Sequence, residues 1–154
     1  MKLVKRIIIY SLVLVFLTLT LSSCKARRYY YSEEKLRQDL DYMAIVYLPK
    51  YGEGKEDFRV VKELSDEETQ LAINRICQIE FVTPIIGAPI DREDYSFAFY
   101  KTDGTVMVIS WCGCADYRIE EDGWSKPYKD RWRWCEKEMF LSLIEEFGVD
   151  IIED

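Results

Sequence analysis

The 154-residue chain contains no histidine. That removes the Ser-His-Asp and Cys-His nucleophile systems, His-ligated zinc, and imidazole as a general base near neutral pH. Glycine and proline are scarce, at seven and four. No glycine-rich loop has the spacing that cradles phosphate. The segment holding Asp91, Glu93 and Asp94 lacks the oxygen-rich loop with a central glycine of an EF-hand, which argues against calcium. There is no internal repeat and no low-complexity tract. Basic residues are outnumbered, 21 to 28, for a net charge of −7. A body of that sign is repelled by nucleic acid and by anionic surfaces, and it favours a cationic partner.

The longest apolar run lies at the N-terminus. Lys2, Lys5 and Arg6 precede an apolar stretch over residues 7–21, and Leu21-Ser22-Ser23-Cys24 closes it. A charged start, an apolar centre and a small-residue cleavage site form an export signal. Fifteen residues are short for a spanning helix, which needs about 20. Leu21-Ser22-Ser23-Cys24 resembles the lipobox of bacterial lipoproteins. The resemblance implies a diacylglyceryl thioether on Cys24, cleavage before it, and a mature protein that begins there. Lys25 is not the aspartate that retains such proteins in the inner membrane. The absence of an acidic run after Cys24 implies the periplasmic face of the outer membrane. Residues 1–23 are then a signal peptide, 24–32 a lipidated basic and aromatic tether, and 33–154 one globular domain.

Loss of the signal removes three positive charges and leaves 131 residues at −10; beyond Lys25, Arg27 and Arg28 the remainder carries −13. The acyl chain and those three cations form a two-part membrane anchor.

Ser32 is positioned to cap a short helix whose face includes Leu36, Leu40 and Met43. Ala44-Ile45-Val46-Tyr47-Leu48 reads as a strand that stops at Pro49, and Phe58-Arg59-Val60-Val61-Lys62 as another. Ser65-Asp66-Glu67-Glu68 is a capping box. The helix it opens places Thr69, Ala72, Ile73, Ile76 and Cys77 on one face. Residues 81–91, with Pro84, Gly87 and Pro89, form a loop or an edge segment. Asp103-Gly104 between two strand-like runs predicts a two-residue hairpin turn, setting Phe99 opposite Val108, Phe97 opposite Ser110 and Tyr95 opposite Cys112. Both faces of that hairpin are largely apolar, so both are covered. Tyr117-Arg118-Ile119-Glu120 is a further strand, turning at Glu121-Asp122-Gly123. A last helix over residues 131–147 stops at Gly148, with Trp132, Cys135, Met139, Phe140, Leu143 and Phe147 on one stripe and Trp134 and Leu141 opposite. Residues 149–152 can add a short strand. The expected fold is α+β: an antiparallel sheet built on a central hairpin (95–112), with helices at about 66–79 and 131–147 packed on it.

With Cys24 assigned to lipid, Cys77, Cys112, Cys114 and Cys135 remain. An even number in an exported domain predicts two disulfides. A strand at 112–114 points both its cysteines to one face, and a ring across Gly113 is strained, so each helix is expected to be stapled to this segment. Which helix takes which cysteine stays open. Cys112 and Cys114 as a redox dithiol, and a four-thiolate metal site, are the competing readings. The first lacks a helix-N-terminal Cys-x-x-Cys, and the second lacks paired knuckles.

Carboxylates cluster at several places and read as solvated faces rather than a paired catalytic couple. Aromatics gather in the last third. Trp111 and Trp132 read as core. Trp124, Tyr128 and Trp134 read as exposed anchors beside Glu120, Glu121 and Asp122, an aromatic patch with an acidic rim suited to a basic protein or peptide. No catalytic residue, cofactor or metal is expected. The functional expectation is a membrane-tethered, non-catalytic binding or inhibitor-like module of the cell envelope with a cationic protein partner. A structural or assembly-accessory lipoprotein is the alternative, and a thiol oxidoreductase using Cys112 and Cys114 ranks third.

Overall fold

The computed structural model describes residues 27–48, 59–83, 94–120, 123–124, 129–131 and 133–151. In chain order these form β1 (Arg27–Tyr29), α1 (Glu33–Arg37), β2 (Leu40–Leu48), β3 (Arg59–Glu63), α2 (Asp66–Gln78), β4 (Phe81–Thr83), β5 (Asp94–Lys101), β6 (Thr105–Ser110), β7 (Gly113–Glu120), β8 (Gly123–Trp124), β9 (Lys129–Arg131) and α3 (Lys137–Glu145). The fold is α+β. An antiparallel sheet runs in the order β3-β2-β5-β6-β7, and β8 and β9 share the outer edge of β7 end to end. A separate ribbon pairs β1 with β4.

The hairpin of β5 and β6 lies inside the sheet, as its two apolar faces require. On one face Phe97, Phe99, Met107 and Ile109 pack under the helices with Ile73, Ile76, Phe140 and Ile144. On the other, Ala44, Val46, Ala98, Tyr100, Val106 and Val108 form a second buried cluster.

Its register differs by one residue from the expected one. Phe97 faces Ile109, Phe99 faces Met107, and Tyr100 faces Val106. The loop is three residues, Thr102-Asp103-Gly104. Asp103 Oδ1 accepts from the Thr105 amide at 2.9 Å and from its hydroxyl at 2.6 Å, and the Gly104 amide donates to the Lys101 carbonyl at 3.0 Å. Only Gly104 takes a positive φ, +78°, whereas a two-residue turn needs one at Asp103 as well. The slip turns Met107 and Ile109, rather than Val108 and Ser110, toward Phe97 and Phe99. β6 also ends at Ser110. Trp111 and Cys112 form the turn into β7, where Ser110 pairs with Gly113. Cys112 and Cys114 therefore do not lie on one strand.

Helix starts follow their caps. The Ser32 hydroxyl accepts from the Lys35 amide at 3.4 Å. The capping box at Ser65 is complete: the Glu68 amide donates to Ser65 Oγ at 3.3 Å, and the Ser65 amide donates to Glu68 Oε2 at 2.9 Å. α2 then buries Ala72, Ile73 and Ile76, while Cys77 is half-buried.

Three helical and strand expectations are corrected. Leu36, Leu40 and Met43 do not share a helix. α1 stops at Arg37, Asp39 takes φ +53°, and Leu40 opens β2, which pairs with β5 almost end to end. The long ladder outweighs a helix too short to be stable alone. The last helix starts at Lys137, not Arg131. Its first half is drawn off by two ladder partners: β9 pairs with β7, and Trp134 exchanges backbone hydrogen bonds with Val82 at 2.8 and 2.9 Å. Glu136 at the helix start makes no side-chain cap. Phe140, Leu143 and Phe147 are buried as the stripe predicts, but Met139 is exposed and Leu141 buried, contrary to it. Residues 149–151 form no strand, although Val149 is buried. Gly148, at φ +73°, ends the helical segment as its position predicts.

Candidate binding face

Arg27, Arg28 and the tyrosines that follow them are part of the folded body. β1 pairs Arg27 with Thr83, Arg28 with Val82 and Tyr29 with Phe81. Tyr31 is fully buried, edge-on to Tyr29 and to Phe81 with ring centroids 5.0 and 5.2 Å apart. The described structure thus includes Arg27–Tyr31, ahead of Glu33, where the domain was expected to start.

A cation sits at the centre of this end of the molecule. The Arg133 guanidinium lies 3.4 Å from the Tyr29 ring centroid and 5.5 Å from that of Tyr31, while Lys35 Nζ is 5.7 Å from the Tyr29 ring. Face-on cations of this kind are held by the ring quadrupole, about 0.5–2 kcal/mol depending on solvation. Arg28 pairs with Glu80 at 3.3 Å, and the exposed Tyr30 donates its hydroxyl to Glu80 at 2.6 Å. Hydrogen bonding to Glu80 is the main reason that the Tyr30 phenol titrates above its usual value. Burial, then the neighbouring Cys114, pushes Tyr31 higher still and keeps it protonated.

Trp134 stands beside Arg133 but is not the exposed anchor expected. It is half-buried, bridged to Val82, and edge-on to Trp111 with centroids 6.0 Å apart. Its indole nitrogen is buried without a hydrogen-bond partner. Lys137 Nζ lies 5.7 Å from the Trp111 ring centroid. The backbone of Trp124 pairs with Ile119, and that of Glu120 with Gly123. Tyr128, Glu121, Asp122 and Trp132 lie outside the described residues, as do Asp91 and Glu93. The acidic-rimmed patch is therefore represented here by one half-buried tryptophan. What sequence reasoning missed is the cation–aromatic stack of Arg133 on Tyr29. Its signal was the placement of Arg133 between Trp132 and Trp134, together with three consecutive tyrosines at 29–31.

No disulfide joins Cys77, Cys112, Cys114 and Cys135 in the structure. Cys77 lies within the electrostatic reach of Glu33 and Arg37 near the α1–α2 contact, and burial raises its pKa. Cys114 is buried in the main core near Tyr31. Cys135 precedes α3 instead of riding on its apolar stripe. Burial, then the neighbouring Cys112, pushes its thiol up to about 12. Rapid exchange is favoured by the opposite, an accessible thiolate of low pKa.

Two hollows lined by described residues are relevant to this surface. One is polar and lies by the C-terminal end of α1, where the Lys101 ammonium donates to the carbonyls of Leu36, at 2.9 Å, and Gln38, with Asp39 and Asp103 around it. Burial lowers the Lys101 pKa. The other runs between α2 and α3 past Ile79, Leu143 and the exposed Met139. Among the described residues no three ligating side chains converge on a metal-sized site, and no helix is long and apolar enough to cross a membrane. Comparison with protein-family models, curated proteins and solved structures finds no match to this chain.

Proposed function

We propose that this chain is a cell-envelope lipoprotein, held on the periplasmic face of the outer membrane by lipid on Cys24, that acts as a non-catalytic binding or inhibitor-like module for a cationic protein partner. The pairing of β1 with β4 is the observation that carries the reading. Only Lys25 and Ala26 separate the lipid-bearing residue from Arg27, the first residue of β1. Three residue steps span at most about 11 Å in any conformation. A body held so closely meets the headgroups with the end that carries Arg27, Arg28, Tyr30, Lys35 and Arg133. Cations and interfacial tyrosines suit that contact.

The remaining charge is mainly acidic. Asp66 and Glu67 on α2, and Glu136, Glu138 and Glu145 at α3, are exposed. They lie on elements other than the β1–β4 ribbon and suit a partner of opposite sign.

Two measurements test the two halves of the reading. Cys24→Ala should abolish lipid labelling and leave the precursor uncleaved at the lipobox. Normal processing of that variant overturns the lipoprotein assignment. Crosslinking of the intact lipoprotein in its membranes should recover basic proteins, with yield falling at least about tenfold between low and high salt, as expected for exposed charges beyond the Debye length. A salt-insensitive or acidic partner overturns the charge argument.

A further inference from the structure

Cys112 and Cys135 meet where the turn from β6 into β7 touches the segment entering α3. The Cys135 amide donates to the Trp111 carbonyl at 2.8 Å, and Cys112 follows Trp111 directly. Standard peptide dimensions place the Cys135 Cα about 3.7 Å from that oxygen and the Cys112 Cα about 2.8 Å from it, so the two Cα atoms are at most about 6.5 Å apart. Disulfides span about 4.4–6.8 Å between Cα atoms. The sulfurs point into the same neighbourhood. Cys135 Sγ lies 3.7 Å from the Trp111 oxygen, and Cys112 Sγ lies 3.4 Å from Ser110 Oγ, within the same turn. The other two cysteines have different surroundings. Cys114 is buried in the main core near Tyr31, and Cys77 is on α2, near the charges of Glu33 and Arg37 on α1.

We propose that Cys112 and Cys135 form a disulfide that clasps residues 133–136 to the β6–β7 turn, while Cys77 and Cys114 stay thiols. The oxidant is a small disulfide of the glutathione class. One protein thiolate attacks it, forming a mixed disulfide and expelling one glutathione thiolate. The second protein thiolate attacks the mixed disulfide and expels the other. Two S–H bonds are lost, one Sγ–Sγ bond forms, and two electrons and two protons leave on two molecules of reduced glutathione. Burial of Cys135 makes the exchange slow in the folded chain but leaves its end point unchanged. The bond holds Trp134 edge-on to Trp111 and, through the adjoining Arg133, keeps the guanidinium over Tyr29. It does not depend on the lipoprotein reading.

The test uses the full chain in detergent, on a Cys24→Ala background so that the N-terminal thiol takes no part. It is brought to equilibrium in glutathione buffer at about pH 8.5, near the usual thiol pKa. The protein is then unfolded, alkylated and digested with trypsin without reductant. Fragment 102–118 should appear linked to fragment 134–137 in most chains, and the link should vanish on reduction. Cys114→Ser should keep the link at full yield, and Cys112→Ser should reduce it at least tenfold. A link to Cys77, a link lost in Cys114→Ser, or four alkylated cysteines after oxidation overturns the proposal. The unsubstituted cysteines and Cys114→Ser decide the pairing even where Cys112→Ser fails to fold.

Discussion

Tyr31 is fully buried, and its hydroxyl makes no well-formed hydrogen bond, although Cys114 and Arg133 lie beside it. An unsatisfied buried hydroxyl costs about 1–3 kcal/mol. Tyr31→Phe keeps the ring against Tyr29 and Phe81 and removes that cost together with the weak contacts to Cys114 and Arg133. Urea unfolding should find it unchanged or up to about 1 kcal/mol more stable. Tyr31→Ala empties a core position and should lose about 3–5 kcal/mol, as large aromatic truncations do. Glu68 sets an acid limit on stability. Its carboxylate accepts from Lys62 at 2.6 Å and from the Ser65 amide, which holds its pKa below the usual 4.5. Because the folded-state pKa is the lower one, its stabilisation is complete above pH 4.5 and is lost as pH falls through the folded value. Glu68→Gln should flatten the acid limb of a stability–pH curve and leave its slope near neutrality unaltered.

At the scale of the element, caps and turns carry the fold's local instructions. Ser65→Ala removes one half of the box that starts α2 and should cost about 1 kcal/mol in thermal or urea unfolding. Gly104→Ala meets no atom within 4 Å, so its whole effect comes from φ +78°. That conformation costs an L-residue about 1–2 kcal/mol. These features were legible in the chain because each depends on a few neighbouring residues. The hairpin was legible too, but not its register. Asp103-Gly104 supports both a two-residue and a three-residue loop, and the choice rested on the Asp103 carboxylate capturing the Thr105 amide. The start of α3 was misread for a different reason. Trp132, Cys135 and Met139 are at helical spacing, but the backbone groups of Arg131 and Trp134 find partners on β7 and Val82 instead.

Across the whole molecule, the disulfide proposed above closes a loop of about 24 residues, worth about 3 kcal/mol in the chain-entropy description. Oxidised protein should therefore lose that much stability on reduction, read as a shift of the urea midpoint, and Cys135→Ser should abolish the shift. The cation–aromatic end belongs to the same scale. It joins residues 29–35 to residue 133, segments a hundred positions apart, and no local pattern predicts that Arg133 lies over Tyr29. The pairing of β1 with β4 is equally non-local. Residues 27–31 had the composition of a tether, and they fold because a short edge strand at Phe81–Thr83 offers them a ladder and the core accepts Tyr31.

Histidine chemistry was excluded, the N-terminal address suggested, the α+β class expected and the capped helix placed from residue order alone. Each of these depends on composition or on contacts within a single turn or hairpin. Register, the true length of the last helix, the folding of the tether and the meeting of Cys112 with Cys135 all came from packing. They are settled by competition between distant segments for the same hydrogen bonds and the same buried volume, and such a competition leaves no mark in any one stretch of sequence.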